Sequence, residues 1–180
     1  VILDYLSLGY VNSDMSKFKG KAIAQAIGTD YFTLLELVPK RGVDLEIQDT
    51  VYIGKGKRDQ IYKVLGKLDY ENLTATSRIE LEYSIREIVN NNEEKFVDFF
   101  NTAGAISTRL HKLELIPGIG KKYMWEIVEA RKEKPFESFE DITTRIPSLN
   151  NPAEMIVNRV KQELDTTTAK KAVSYTHLRA

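Results

Sequence analysis

Hydrophobic and polar positions change rhythm along the chain. Over roughly the first 70 residues the rhythm is short and β-like. Val1-Ile2-Leu3 opens inside a strand-like run. Lys21 to Ile27 alternates, with Ile23 and Gln25 offset from Ala22, Ala24 and Ala26, and ends at Gly28. Tyr31 to Val38 is aromatic and branched and stops at Pro39. Val43-Asp44-Leu45-Glu46-Ile47 alternates strictly, apolar on one side and acidic on the other, and Val51-Tyr52-Ile53 follows, closed by Gly54 and Gly56. Ile61 to Leu68 reads as a further strand, weakened by Gly66. Short strands between Gly, Pro and Asp turns predict a small barrel or sandwich rather than a βαβ array.

The period then lengthens to that of a helix. Ile79, Leu81, Ile85, Ile88 and Val89 fall largely at helical spacing until Asn90-Asn91-Asn92 interrupts them. Phe96, Phe99 and Phe100 form an apolar stripe on a second, short helix, which reads as packing rather than as a base-stacking platform. Ser138 to Asp141 has capping-box spacing ahead of Ile142 and Ile146. Asn151-Pro152-Ala153-Glu154 places Asn at an N-cap, Pro at the first helical position and Glu three residues beyond the cap. Met155, Ile156, Val160 and Leu164 are then the buried face. The expected organisation is a β domain over 1–72, a helical linker over 73–104, an all-α domain over 105–165 and a disordered tail over 166–180. Within that tail, Val173-Ser174-Tyr175-Thr176-His177-Leu178-Arg179-Ala180 resembles the translation of a transposon-derived sequencing adaptor and is set aside as read-through.

Between the helical segments lies the motif that carries chemistry, Ile116-Pro117-Gly118-Ile119-Gly120-Lys121-Lys122. Gly118 and Gly120 can take positive φ and, lacking a Cβ, let a flat ligand approach the backbone. The unpaired N–H groups opening the following helix favour an anion. Ile119 plugs the turn into the core, while Lys121 and Lys122 add charge beside a bound phosphate without sequence preference. The motif resembles the helix-hairpin-helix of recombination and repair proteins. Phe136-Glu137-Ser138-Phe139-Glu140-Asp141-Ile142 is similar to the segment that joins two such hairpins in tandem. The second hairpin then falls at Ile146-Pro147-Ser148-Leu149-Asn150-Asn151, with Ser and Asn where glycines belong, so it is expected to pack the unit together and to bind phosphate poorly or not at all.

Charge changes this picture only through its distribution, since Lys+Arg and Asp+Glu both number 26. Val51 to Lys67 holds five bases against one acid, Asp69 to Asp98 eight acids against three bases, and Arg109 to Lys134 seven bases against four acids. In the first basic zone Gly54 and Gly56 alternate with Lys55 and Lys57, Arg58 follows, and Tyr52 and Tyr62 flank the cluster. A basic turn with nearby aromatics is how small barrels hold single strands. The sequence has no cysteine and two histidines, His111 and His177, which argues against a disulfide framework, a thiolate site or catalytic zinc; no cofactor is expected. No apolar run is long enough for a membrane span and the opening residues lack a signal-peptide pattern, so no membrane association and a cytoplasmic location are expected.

The strand segments Ala22 to Gly28, Tyr31 to Pro39, Val51 to Asp59 and Leu73 to Thr76, in that order ahead of the hairpin, resemble an uncharacterised archaeal family, domain of unknown function 655, usually labelled a predicted RNA-binding protein. The likeness runs from about Val1 to Asp165. It implies an α+β chain in which a small OB-like β-barrel precedes a helical linker and an all-α helix-hairpin-helix domain. The expected function is non-enzymatic nucleic-acid binding, RNA favoured over DNA, through Pro117, Gly118, Ile119, Gly120, Lys121 and Lys122 with Lys55, Lys57, Arg58 and Tyr52. Ribosome- or repair-associated proteins are the candidate partners, and a DNA-binding accessory factor in repair or recombination is the alternative. Lys122 and Asp141 imitate the lysine–aspartate spacing of base-excision glycosylases, but Asp141 holds a capping position and the β-rich first third leaves too little helix for that substrate cleft.

Overall fold

The computed structural model describes residues 1–10 and 20–165; the tail read as adaptor lies outside them. Contacts divide the chain into two compact units, Val1–Ser84 and the part from Ile85 onward. In the first, β1 (Ile2–Leu6), β2 (Ile23–Ile27), β3 (Leu34–Pro39) and β4 (Ile61–Lys67) form one antiparallel sheet in sequence order. Among the described residues no ladder joins β1 to β4, so the sheet is open. Register pairs Ala24 with Leu37 and Ala26 with Leu35, and slips between Glu36 and Leu37. The glycine that weakens β4 in the sequence sits at that slip: Gly66 pairs with Glu36 at φ +158°, a conformation other residues rarely adopt.

Two sequence expectations change here. Residues 43–53 form no strand. Three of their donors are spent locally: Val43 N–H on the Lys40 carbonyl (3.1 Å), Asp49 N–H on the Glu46 carbonyl (3.2 Å) and Glu46 N–H on Asp49 Oδ2 (2.9 Å). Gln48 at φ +73° turns the chain. Two backbone bonds reach β1, Ile2 N–H to the Asp49 carbonyl and Gln48 N–H to the Ile2 carbonyl, both 2.8 Å, and the Tyr5 hydroxyl adds a side-chain bond to Asp44 Oδ1 (3.0 Å). Leu45 still packs with Ile2, Ala24, Ala26, Leu37 and Ile61, whereas Ile47 is exposed, so the alternation marked the burial of Leu45 rather than a ladder. The second change is at β2, which alternates in sequence but is buried along its whole length. Its one polar side chain, Gln25, is fully engaged: Nε2 donates to the Tyr10 hydroxyl (2.9 Å) and the Asn72 carbonyl (3.0 Å), and Oε1 accepts from Thr74 N–H (2.9 Å).

Thr74 begins α1 (Ala75–Asn91), its hydroxyl accepting from Ser77 N–H (3.0 Å) and donating to Asp4 Oδ2 (2.6 Å). Gln48 donates to Glu80 (2.8 Å) and accepts from the Ser84 hydroxyl (3.1 Å). These bonds tie the front half of α1 to the sheet, so the chain divides inside α1 rather than at the two ends of 73–104. The Asn run ends α1 as expected: Asn92 turns its amide back to the Ile88 carbonyl (2.7 Å), and α2 (Glu93–Thr102) follows. Phe96 and Phe100 of its stripe are buried, with Phe99 edge-on to Phe100 at 6.2 Å.

The second unit is not all helix. A small hairpin, β5 (Ala105–Ser107) and β6 (Leu110–His111), and a single 3₁₀ turn, Lys112–Leu115, stand where the first helix of the motif was expected. The His111 imidazole accepts from Leu113 N–H (3.1 Å) and Glu114 accepts from His111 N–H (2.8 Å), which starts a helix at Lys112. Pro117 forces Ile116 into extended backbone (φ −80°, ψ 125°), leaving room for one turn only. Three helices complete the unit: α3 (Lys121–Glu133), α4 (Phe139–Arg145) and α5 (Pro152–Leu164). The two caps read from the sequence form: Ser138 Oγ accepts from Asp141 N–H (3.0 Å), and Asn151 Oδ1 from Glu154 N–H (3.1 Å) with Pro152 at the first helical turn. Arg145 fastens α4 to the end of α3, donating to the carbonyls of Ala130 and Lys134 and lying 4.5 Å from the Phe136 ring.

Candidate nucleic-acid interface

The Pro-Gly-Ile-Gly turn is built from one backbone bond, Ile119 N–H to the Ile116 carbonyl (3.0 Å), with both isoleucines buried. Gly118 takes φ +89°, the left-handed conformation expected of it. Gly120 does not: it is the N-cap of α3 at φ −87°, ψ −178°, extended backbone open to any residue. Its need for glycine is therefore not conformational. A Cβ added there would meet nothing within 4 Å, whereas one at Gly118 would lie 3.3 Å from Met155 Cε. The Gly120 carbonyl takes Met124 N–H (2.9 Å). Among the described residues no acceptor pairs with the N–H groups of Gly118, Gly120 or Lys121. Lys121 is exposed and has no ion-pair partner among the described residues, while exposed Lys122 lies 3.8 Å from Glu126 and 5.6 Å from the Tyr123 ring.

The second turn repeats the architecture with different residues. Leu149 N–H bonds the Ile146 carbonyl at 2.9 Å, matching Ile119 and Ile116, and Leu149 and Ile146 are buried in the same way. Its left-handed residue is Asn151 (φ 30°), not Ser148. Asn151 spends its side chain capping α5, and the Ser148 hydroxyl bonds Glu126 (3.2 Å). The first turn is left open and cationic; the second carries side chains at the equivalent places.

In the first unit, Lys55 and Lys57 are exposed, and Arg58 is half-buried because its Nε donates to the Gly54 carbonyl (2.9 Å). Lys40 in turn donates to the Arg58 carbonyl. Tyr52 lies over the two glycines. Its hydroxyl accepts from Gly56 N–H (3.3 Å), and a Cβ on Gly54 would come 2.2 Å from that hydroxyl. The glycines thus admit the ring, which shapes the basic turn and stays 58% exposed. Tyr62 is exposed on β4. No acid pairs with Lys55, Lys57 or Arg58 among the described residues. Asp141, which would be catalytic in a glycosylase-like arrangement, accepts from Glu137 N–H (3.1 Å) and pairs with Arg145 (3.4 Å).

The sequence reading missed a groove of about 300 Å³ between the β5–β6 hairpin and α3. Arg109, Leu110, Lys121 and Trp125 line it, with Ser107 and Thr108. Trp125 falls four residues after Lys121 on α3 and is 58% exposed. An exposed tryptophan at helical spacing was the available signal, but no hairpin was expected that could place Arg109 and Leu110 beside it. Among the described residues no helix is long and apolar enough to cross a membrane.

The model of the family described as "Protein of unknown function (DUF655)" matches residues 1–177, past Asp165 and into the stretch set aside as adaptor. The uncharacterized protein MJ0038 of Methanocaldococcus jannaschii is 47% identical over 163 residues, covering 91% of this chain and 72% of its own length. The crystal structure of Af1531 from Archaeoglobus fulgidus, assigned to the same family model, matches with TM-score 0.84 and 42% identity over 97% of each chain.

Proposed function

The chain belongs to the archaeal DUF655 family, and from that premise we propose that it binds nucleic acid, RNA in preference to DNA, without catalysing a reaction on it. The second unit is read as a tandem helix-hairpin-helix whose first hairpin grips a phosphate. The first unit is read as an OB-like domain whose basic turn, Lys55, Lys57 and Arg58 shaped by Tyr52, adds a second backbone contact. One observation carries the reading: the free N–H groups of Gly118, Gly120 and Lys121 open a cationic helix, and the space beyond Gly120 is empty. Backbone donors and a helix dipole favour an anion there, and a missing Cβ lets a phosphate reach them. The preference for RNA rests on the family resemblance, since phosphate contacts at this site do not read the sugar.

The test is a titration of affinity against salt on single- and double-stranded RNA and DNA. Lys121→Ala with Lys122→Ala should weaken binding to all sequences alike and flatten the salt slope by about one to two units, since each lost phosphate contact removes roughly 0.7 to 0.9. An unchanged slope in a folded double variant would show that the hairpin is not the grip.

A further inference from the structure

We infer that the groove between the β5–β6 hairpin and α3 holds one unpaired nucleobase of the strand whose phosphate sits on the first hairpin, stacked against Trp125. This deepens the proposed function and rests on it for the phosphate. The argument begins with an anomaly: the chain's single tryptophan is 58% exposed while Ile127, on the opposite side of its helix, is buried. An indole left in water beside a concavity offers a large flat surface at low entropic cost. The groove is about 300 Å³, at the lower end of small-ligand sites. Leu110, 38% exposed, adds an apolar wall, and Ser107 and Thr108 add hydroxyls.

Charge chooses the occupant. Among the described residues neither Arg109 nor Lys121 has an ion-pair partner, so the rim is cationic. The one acid in the lining, Glu114, is engaged by His111 N–H (2.8 Å). A cationic rim around an exposed aromatic suits a base still joined to its phosphates, since rings stack on bases and cations follow the backbone. Lys121 belongs to both places, the free N–H cluster and the groove, so one strand can use them together. The ligand class is therefore a nucleic acid with a single unpaired nucleotide, not an uninterrupted duplex.

Trp125 is its own reporter, because no other tryptophan emits. The full chain is titrated with a blunt RNA duplex and with the same duplex carrying one unpaired adenosine, following binding by anisotropy and Trp125 by emission. The unpaired adenosine should quench Trp125 and bind more tightly, while the blunt duplex binds without quenching. Trp125→Ala should weaken the adenosine-bearing RNA by about 5- to 150-fold and leave the blunt duplex unchanged, and Trp125→Phe should keep most of the difference. Equal affinity for both RNAs, or equal loss for both in Trp125→Ala, overturns the stacking. A blunt duplex that binds while Trp125 stays silent with both RNAs sinks this inference alone. Quenching that survives Gly120→Thr at unchanged affinity instead keeps the stacking and removes the hairpin grip. Absence of binding by either RNA overturns both.

Discussion

Gly118 holds φ at +89°, where any side chain is strained by about 1 to 2 kcal/mol, and its added Cβ would press Met155. Gly120 faces no such limit, since its backbone is extended and the space before it is free. The two glycines should therefore separate folding from binding. Gly118→Ala lowers the melting temperature, with loss of affinity following the fold. Gly120→Thr keeps a good N-cap residue, so the melting temperature stays within a few degrees while affinity for nucleic acid falls at least about tenfold. Melting curves and binding isotherms of both variants decide it; a Gly120→Thr protein that binds normally would mean the backbone is not approached there. The glycines themselves were legible in the sequence as a pair. Which one holds left-handed backbone and which one faces open space was not, because the first is set by the folded turn and the second by what packs against it, as Met155 does beside Gly118.

At the scale of the element, the cap residues decided where helices begin, and here the sequence was explicit: Ser138, Asn151 and Pro152 all act as their types predict. The 3₁₀ turn is the instructive exception, because its cap is a histidine. His111 caps Leu113 through a ring nitrogen that must be unprotonated, and burial, then the neighbouring Arg131, lowers its pKa below the ordinary 6.5, against the opposing pull of Glu114. The folded pKa lies below the unfolded one, so the cap's stabilisation is present above about pH 6.5 and is lost as pH falls through the folded value. Melting temperatures recorded from pH 7.5 down to 5 should fall, and His111→Asn, a cap that does not titrate in this range, should fall less steeply. Identical pH profiles for the two proteins would show that the cap carries none of the dependence.

For the whole molecule, the polar hub on β2 shows how a single buried side chain commits distant segments. Gln25 serves Tyr10, Asn72 and Thr74 at once, and burial is the main reason the Tyr10 phenol is pushed up to about 12. Gln25→Leu keeps the bulk and strands those partners, so urea denaturation should show a loss of at least about 2 kcal/mol, given roughly 1 to 3 for each buried group left unpaired. A loss under about 0.5 kcal/mol would mean that water reaches the hub. The charge zones act at this scale too. The basic stretch 51–67 and the basic stretch 109–134 each contain an exposed cationic turn in their own unit, one at Lys55 and Lys57, one at Lys121 and Lys122.

Periodicity, caps and turn glycines are local properties, so the sequence alone determined the segments of β1 to β4 and α1 to α5, the break at Asn92, the turns at Pro117 and Pro147, and the cations beside the first turn. The tertiary structure decided what local signals cannot encode. It left 43–53 without a ladder, with the Val43, Glu46 and Asp49 donors paired locally and Gln48 reaching β1. It buried both faces of β2, placed a β-hairpin beside α3, and left Trp125 exposed on the groove between them. In each case the outcome depends on which distant backbone groups remain unpaired and which side chains arrive to cover them.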